Sequence, residues 1–249
     1  MQPVFSIITV SYNAHEVIED TIVSVLKQNY PNIEYIIIDG ASTDGTLDIV
    51  EKYRGQIAKI VSEKDEGIYD AMNKGLAMAT GDYVWFMNTG DYIYTTCTVS
   101  KIVEDLKGDI LPDIIYGETA IVNQKREYLY MRRLKAPQKL YWKKFANGML
   151  VSHQAFIVKR TIAPMFDMRY RFSADYDWCI RCMKISSIIQ NSHLVLANYL
   201  NEGATTQNMK ASLKERFAIM CRYYGKIPVY LQHIKFILRF AWAKLKGKV

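Results

Sequence analysis

Four short runs of apolar residues divide the first ninety residues of the chain. They lie at residues 4–10, 33–38, 57–61 and 83–87 and are rich in β-branched and aromatic side chains, as is typical of strands buried on both faces of a parallel sheet. Between them apolar residues recur at helical spacing, most clearly at 68–79. Because strand and helix alternate, the pattern predicts an α/β domain of the nucleotide-binding type, with a parallel sheet and right-handed crossovers.

The pattern becomes less regular after residue 91. It predicts a helix at 99–106, strands at 113–122, 155–158 and 194–200, and a helix that begins at Asp177. Residues 124–134 are rich in Tyr and Arg and form either a hairpin or a flexible loop. A further helix is predicted at 206–224, ended by Gly225 and Pro228. No linker separates the two halves, so we expect the second half to complete the same domain.

Polar side chains follow three of the predicted strands. Ser11-Tyr12-Asn13, Asp39-Gly40 and the turn at 88–91 each come directly after an apolar run. In open α/β sheets ligands collect beyond the carboxyl ends of the strands, so we expect the three clusters at one edge. Tyr12 can stack on a base, Asp39 can accept from a base N–H group, and Asp91 can hold a hard divalent cation against phosphate oxygens. The alternative is that residues 88–91 form only a turn, since Asn, Gly and Asp dominate turns.

The sequence lacks the marks of several other classes of protein. No G-x-G-x-x-G follows the first strand and no G-x-x-x-x-G-K-[ST] occurs, so the dinucleotide-binding and P-loop classes lose their main support. Four cysteines fit no extracellular disulfide scaffold. Cys179 and Cys182 have no second pair or His cluster near them in the sequence, which favours buried apolar residues over zinc ligands.

Positive charge is concentrated at the C-terminal end of the chain. The formal net charge is +7, whereas residues 205–249 hold ten Lys and Arg and the single acid Glu215, a net of +9. The last helix has one basic face and one apolar face, the latter formed by Tyr230, Leu231, Ile234, Ile237, Leu238, Ala241, Trp242 and Leu245. Such a helix is typical of a membrane interface. The alternatives are that it packs back on the domain, or that the basic tail binds nucleic acid.

The hydropathy of the chain favours a protein without a spanning segment. No run reaches the roughly 18 uncharged apolar residues of a transmembrane helix, and Met1-Gln2-Pro3 leads directly into a strand. We therefore expect no cleaved signal and a cytoplasmic location, peripheral at the inner face of the cell membrane. The expected partner of the tail is an anionic membrane surface rather than nucleic acid.

Four stretches resemble a known family. Residues 4–13, 39–46, 63–75 and 79–91 look like the family 2 glycosyltransferases of the GT-A fold, in the same order and at similar spacing. The resemblance is close over about the first 95 residues and looser beyond. It implies a mixed, mainly parallel central sheet flanked by helices, with a C-terminal helical tail. The expected organisation is a GT-A domain at 1–204, with a nucleotide-sugar-binding half at 1–95 and an acceptor-binding half at 96–204, followed by basic amphipathic helices at 205–249.

The resemblance also implies roles for particular residues. Asp91 matches a carboxylate that binds Mn²⁺ or Mg²⁺, although Gly90 stands where an acid is often found, so that Asn88 is the residue expected to help. The other nucleotide-binding candidates are Val10 and Tyr12 at the base pocket, Asp39 on the base, and Asp70 and Asn73, for which a helix surface or cap is the alternative.

The reaction also needs a general base that deprotonates the acceptor hydroxyl. Asp175 matches the family's acidic acceptor-site motif, in which Ala174 replaces a common acid. The alternative is that Asp175 caps the following helix, and Asp177 is then the fallback base. For His153 a hydrogen-bonded structural role is favoured over contact with a metal or phosphate.

Together these features predict an inverting, metal-assisted glycosyltransferase of cell-surface polysaccharide synthesis. It would move one sugar from a UDP-, GDP- or dTDP-sugar to a glycan or lipid-linked acceptor. No Gln-x-x-Arg-Trp follows Asp175, which disfavours a processive polysaccharide synthase. The alternative function is a catalytically inactive nucleotide-sugar-binding module, suggested by the missing acids at Gly90 and Ala174.

Overall fold

The structure, a computed structural model, describes residues 2–106, 110–201 and 208–234. The strands are β1 Phe5–Ser11, β2 Ile33–Asp39, β3 Lys59–Ser62, β4 Tyr83–Phe86, β5 Tyr92–Ile93, β6 Ile114–Val122, β7 Tyr128–Met131, β8 Phe156–Lys159 and β9 Ile189–Leu200. They form one mixed sheet in the order β3-β2-β1-β4-β8-β6-β9-β5, with β7 paired to β6. The helices are α1 Ile18–Leu26, α2 Thr46–Lys52, α3 Ile68–Met78, α4 Thr98–Asp105, α5 Ala174–Ile185 and α6 Met209–Tyr224.

The first four strands run parallel, as the apolar pattern predicts. β1 lies between β2 and β4, with Ser11 opposite Asp39 and Ile8 opposite Phe86. Helix α3 packs against β1 so closely that a Cβ added at Gly75 would lie 2.4 Å from Cγ2 of the buried Ile8. Because the carboxyl ends of β1, β2 and β4 are neighbours, the polar residues that follow them meet at one edge of the sheet.

Strand β8 joins the two halves of the chain. It pairs antiparallel with both β4 and β6, so the second half completes the sheet begun by the first, as expected. Residues 124–134 form a hairpin rather than a flexible loop, because β7 pairs antiparallel with β6. Aromatic rings reinforce the junction: Trp178 of α5 contacts Phe86 of β4 and stacks on Phe166, with ring centroids 5.6 and 4.9 Å apart.

Several predicted bounds differ from the structure. Strand β9 begins at Ile189 rather than at residue 194, because the polar stretch before Leu194 still pairs with β6 through two shifts of register. Helix α5 begins at Ala174, three residues before the predicted start at Asp177. The two-residue strand β5 has no signal in the sequence and exists through its pairing with β9. Cys179 and Cys182 are buried free thiols of α5, as predicted.

The C-terminal helices are only partly described. After α6 the backbone is helical again at 226–234, where Val229 is buried and Ile227, Tyr230, Leu231 and Ile234 are each more than half exposed. The basic amphipathic segment predicted beyond them, residues 235–249, lies outside the described residues, as do residues 206–207 of the predicted helix. Within the described ranges, no helix has the length and hydropathy needed to cross a bilayer.

Candidate active site

A cavity of about 490 Å³ opens at the carboxyl ends of β1 and β4, within the usual range for small-molecule sites. Both halves of the chain contribute to it. The first half supplies Val10, Ser11, Tyr12, Ala14, Asp65, Ile68, Tyr69, Ala71, Asn88, Thr89 and Asp91. The second half supplies Ile121, Arg132, Met149, Ser152, His153, Gln154, Arg171, Phe172, Asp175, Tyr199, Leu200 and Arg216.

Asp91 lies almost completely buried at the end of the turn that follows β4. Its Oδ2 accepts a hydrogen bond of 2.7 Å from Nε2 of Gln154, and its Oδ1 accepts one of 3.0 Å from the backbone N–H of Leu200. Burial raises the pKa of Asp91 to about 6, although both hydrogen bonds act in the opposite direction. The carboxyl group is therefore held in a place where its negative charge is poorly solvated, and a bound cation would compensate that charge.

The conformation of the turn explains why residue 90 is glycine. Gly90 has φ +96°, in the left-handed region, and a Cβ there would lie 3.2 Å from Cδ2 of Leu200. Its N–H donates to Oγ1 of Thr21 and its carbonyl accepts from Nη1 of Arg126, which fixes the turn on both sides. An acidic side chain at this position would strain the backbone. The departure from the family's motif therefore follows from the backbone conformation.

His153 links the turn to the second half of the chain. Its Nδ1 lies 3.2 Å from Oδ2 of Asp175, and its Nε2 lies 3.2 Å from Nδ2 of Asn88. A neutral imidazole protonated at Nδ1 satisfies both contacts, because it donates to the carboxylate and accepts from the amide. The imidazole thus lies between Asn88 and Asp175 and holds both side chains in place.

Asp175 is a buried carboxylate with three donors around it. Besides His153, the hydroxyl of Tyr69 donates to Oδ1 at 3.2 Å and the backbone N–H of Tyr176 donates to the same oxygen at 2.8 Å. Burial raises the pKa of Asp175, but the hydrogen bond from His153, the charge of Arg216 and the N–H of Tyr176 together hold that pKa below its usual value. The group is therefore ionised at neutral pH. The N-cap of α5 is Ser173, so the alternative that Asp175 is the helix cap is wrong.

Two side chains of this turn carry oxygens that suit a hard cation. Oδ1 of Asn88 is buried and has no hydrogen-bond partner in the described structure, and Asp91 follows three residues later on the same turn. Mg²⁺ and Mn²⁺ accept one or two protein oxygens when water and phosphate complete the coordination. The donor set therefore fits such an ion, even though no three His, Cys, Asp or Glu side chains cluster in the described ranges.

The family described as Glycosyl transferase family 2 matches residues 6–164, more than half of the chain. This chain belongs to that family. It is 28% identical over 215 residues to a PGL/p-HBAD biosynthesis glycosyltransferase of Mycobacterium tuberculosis H37Ra, a match that covers 83% of this chain and 80% of the relative. It is 45% identical over 93 residues to TuaG of Bacillus subtilis 168, which is named for teichuronic acid biosynthesis, with 36% and 37% of the two chains covered.

Solved structures show that this family 2 glycosyltransferase has the GT-A type of fold. S. aureus TarS 1–349 in complex with UDP-GlcNAc has a TM-score of 0.68 at 17% identity, with 94% of this chain and 71% of that one covered. The mannosyltransferase PcManGT of Pyrobaculum calidifontis, in complex with GDP-Man and Mn²⁺, has a TM-score of 0.63 at 19% identity, with 89% and 65% covered. The predicted mixed sheet with flanking helices and C-terminal helices is thereby confirmed.

The predicted base pocket of the glycosyltransferase is only partly open. Val10 and Tyr12 line the cavity, and the Tyr12 ring is 65% exposed and free to stack on a ligand. Asp39 is completely buried and does not line the cavity. Its Oδ1 accepts from the hydroxyls of Ser11 and Ser42, and its Oδ2 accepts from Ser42 N–H and the Ser62 hydroxyl. Four donors occupy the lone pairs of the carboxylate, so contact with a base requires Ser42 to give way.

Three other candidates do not line the cavity. Asp70 accepts from the Glu66 N–H at the start of α3 and pairs with Lys74 at 3.3 Å. Asn73 uses both amide atoms on the backbone of Phe166, at 2.6 and 3.1 Å. For Asp70 the helix-surface or cap alternative accounts for these contacts, whereas Asn73 joins α3 to the segment at Phe166. Asp177, the fallback base, is completely buried against Arg181 and Tyr223, at 2.6 and 2.7 Å, and faces away from the site.

The structure brings in residues that the sequence reasoning missed. Gln154 orients Asp91, and only its position next to His153 could have drawn attention to it. Asp65 approaches Tyr12 over Gly40, where a Cβ would lie 2.5 Å from Oδ2 of Asp65, so the absence of a side chain at residue 40 makes room for this carboxylate. Three arginines, Arg132, Arg171 and Arg216, come from the second half and had no recognisable sequence motif.

Proposed function

We propose that this chain is an inverting, metal-assisted glycosyltransferase that moves one sugar from a nucleotide-diphospho-sugar to a glycan or lipid-linked acceptor. One observation carries the proposal: an ionised, buried carboxylate, Asp175, is joined through the imidazole of His153 to the side chain of Asn88, and both line the same cavity as Asp91. An acceptor hydroxyl at Asp175 would thus react close to a diphosphate bound at the turn. The complexes of TarS with UDP-GlcNAc and of PcManGT with GDP-Man and Mn²⁺ support a nucleotide-sugar donor and a divalent cation.

Each side chain has a definite task in this mechanism. Tyr12 stacks on the base, with Val10 beneath it, and the carboxylate of Asp65 accepts from base or ribose groups. Asp39 can do so only when Ser42 gives way. Asp91 and Asn88 would hold Mn²⁺ or Mg²⁺, which when bound neutralises the charge of the departing diphosphate.

Asp175 takes the proton of the acceptor hydroxyl as that oxygen attacks the anomeric carbon from the face opposite the diphosphate. The N–H of His153 keeps Oδ2 of Asp175 oriented, and the hydroxyl of Tyr69 does the same for Oδ1. Asp175 lines the cavity to which both halves contribute. A correctly placed base of this kind contributes about 10²–10⁴-fold to a rate.

We further propose that the enzyme acts on the cytoplasmic side, at an anionic membrane surface, in cell-surface polysaccharide synthesis. The name of TuaG supports the pathway. Membrane contact is supported by the exposed apolar side chains at 227–234 and by the basic composition of the tail. Sedimentation with anionic liposomes, lost when residues 229–249 are deleted, tests this contact. Steeply salt-dependent binding to DNA or RNA instead would contradict it.

The alternative is a module that binds nucleotide sugars without turning them over, for which Gly90 and Ala174 are the motivation. A thermal-shift screen with UDP-, GDP- and dTDP-sugars plus Mn²⁺ identifies the donor, and a transfer assay with that donor separates the two functions. Asp175→Asn should lose at least about 100-fold in turnover while nucleotide affinity stays within twofold. Asp91→Ala should lose both turnover and metal-dependent nucleotide binding.

Asp177→Asn is the matched control for the base assignment, because it changes a carboxylate two residues away that faces the core. The well-folded fraction of this variant should keep its turnover per folded molecule. If Asp175→Asn keeps most of its turnover, Asp175 is not the base. If the wild type binds nucleotide sugars but transfers none, the inactive module is the correct interpretation.

A further inference from the structure

Three guanidinium groups face the cavity without a carboxylate partner. Arg132 follows β7, Arg171 precedes α5 and Arg216 belongs to α6, so three separate elements converge on one place. None of the three forms an ion pair within 4.0 Å among the described residues. Elsewhere in the described structure arginines do find acids, as Arg181 finds Asp177 at 2.6 Å. Arg132 and Arg216 are partly buried and Arg171 is exposed, and three cations at one cavity with no described acid paired to them indicate an anionic ligand.

Arg132 and Arg216 retain unused binding capacity. Among the described residues Arg132 donates to backbone carbonyls alone, those of Leu134, Leu150 and Met149, at 2.6–3.1 Å. Its pKa is lowered to about 10, first by burial and then by the charge of Arg216. Nε of Arg216 is buried and has no partner in the described structure. An anion between these two groups would remove their repulsion and complete the hydrogen bonding of Arg216.

Glu215 does not neutralise the cluster, although it is next to Arg216 in sequence. Its carboxylate accepts three backbone N–H groups, from Arg171, Phe172 and Ser173, at 2.8–2.9 Å. These bonds hold the segment before α5 against α6, and Arg171 and Arg216 line the same cavity. Glu215 thereby assembles the cationic cluster and leaves its charge uncompensated.

We propose that Arg132, Arg171 and Arg216 form a subsite for a phosphate group of the acceptor. This deepens the proposed function and rests on it. Both Arg132 and Arg216 act electrostatically on Asp175 and on Tyr199, which places them on the side of the base. In a single displacement the acceptor enters on the side of the base and the diphosphate of the donor departs on the other. A phosphate beside Asp175 therefore belongs to the molecule that carries the attacking hydroxyl, either a phosphorylated lipid or a polyol phosphate.

The test titrates inorganic phosphate into the full chain in the presence of Mg²⁺ and a saturating nucleoside diphosphate, with binding followed by calorimetry. The wild type should bind phosphate while the nucleotide stays bound. Arg216→Gln and Arg171→Gln should each weaken phosphate binding about tenfold or more, with nucleotide affinity within twofold. Arg133→Gln is the matched control, because Arg133 is an exposed neighbour of Arg132 that does not line the cavity, and it should bind as the wild type does.

Each other outcome overturns the proposal. If phosphate displaces the nucleotide, and the two Arg variants lose nucleotide affinity by the same factor, the cluster serves the donor diphosphate. If phosphate does not bind, or binds the two variants and the wild type equally, there is no phosphate subsite. A wild type that binds no nucleotide refutes the proposed function separately, since phosphate can still be titrated alone. Farnesyl phosphate and glycerol 3-phosphate then distinguish a lipid acceptor from a polyol acceptor. Only a site for a phosphorylated lipid gains affinity from the hydrocarbon chain of farnesyl phosphate.

Discussion

Replacing Asp91 by Asn should make the metal-free protein more stable and at the same time inactive. Burial raises the pKa of this carboxyl from 3.8 to about 6 in the folded chain. Between these two values the folded state binds more protons than the unfolded state, so the free energy of unfolding falls as the pH rises through this window. Above pH 6 the full cost of burying the ionised carboxylate of Asp91 is present. A difference of about two pH units corresponds to about 3 kcal/mol, which is the ceiling for the gain in Asp91→Asn.

The expected shift in melting temperature follows from the length of the chain. For 249 residues, 1 kcal/mol corresponds to about 2 °C, so the variant should melt up to about 6 °C higher than the wild type at pH 7.5 in EDTA. The difference should shrink between pH 6 and pH 4 and vanish below pH 4, where both states of the wild type are protonated. The side-chain oxygen of the substituted Asn keeps the hydrogen bond from the backbone N–H of Leu200. The side-chain amide of Gln154 can rotate so that its oxygen accepts from the NH₂ group of that Asn.

Thermal melts of the two proteins at half-unit intervals from pH 4 to pH 8 measure this difference. Glu104→Gln, which removes an exposed carboxylate of α4, is the control and should shift the melting temperature by the same small amount at every pH. A variant that melts lower than the wild type at pH 7.5, or a shift that does not depend on pH, would refute the reasoning. Adding Mn²⁺ should then stabilise the wild type and leave Asp91→Asn unchanged.

Three further substitutions test the roles of neighbouring residues. Gly90→Asp, which restores the acid often found there, should unfold about 1–2 kcal/mol more easily because of the positive φ, and should not raise metal affinity, as a denaturant titration and Mn²⁺ calorimetry would show. Asp177→Asn should cost about 1–3 kcal/mol in the same titration, since it leaves Arg181 without its buried partner. His153→Gln should lower kcat about tenfold to 100-fold with nucleotide affinity unchanged, and should shift the acidic limb of the kcat–pH profile, because Asp175 loses the donor that lowers its pKa. An unshifted limb would mean that His153 acts elsewhere.

The first half of the fold could be predicted because each strand is a continuous apolar run. Ile33–Asp39 and Tyr83–Phe86 are fully or largely buried on both faces, and no other element suits such runs at that length. Parallel strands also place their carboxyl ends together, which is why Tyr12, Asn88 and Asp91 could be expected in one site. The residues that follow a strand are local in sequence, so their position was open to prediction.

The second half could not be predicted to the same extent because its structure depends on distant partners. β5 is two residues long and exists through pairing with a strand a hundred residues later. The antiparallel direction of β8 leaves no mark on its own four apolar residues. The arginines of the proposed phosphate subsite, Arg132, Arg171 and Arg216, come from three elements that only the tertiary fold brings together. The same holds for the burial of Asp39, since its serine partners lie at residues 11, 42 and 62.

The contacts of residues 153 and 154 limit how this enzyme can be recombined with its relatives. Both residues lie in the half expected to bind the acceptor, yet His153 contacts Asn88 and Gln154 contacts Asp91, which lie in the half expected to bind the nucleotide sugar. A chimera that exchanges everything after residue 95 for the corresponding part of another family member would separate the turn at 88–91 from His153 and Gln154, which orient its side chains. No single boundary in the sequence therefore separates the residues of the turn at 88–91 from the side chains that position them. Exchange of acceptor specificity requires a graft that leaves His153 and Gln154 with the half expected to bind the nucleotide sugar.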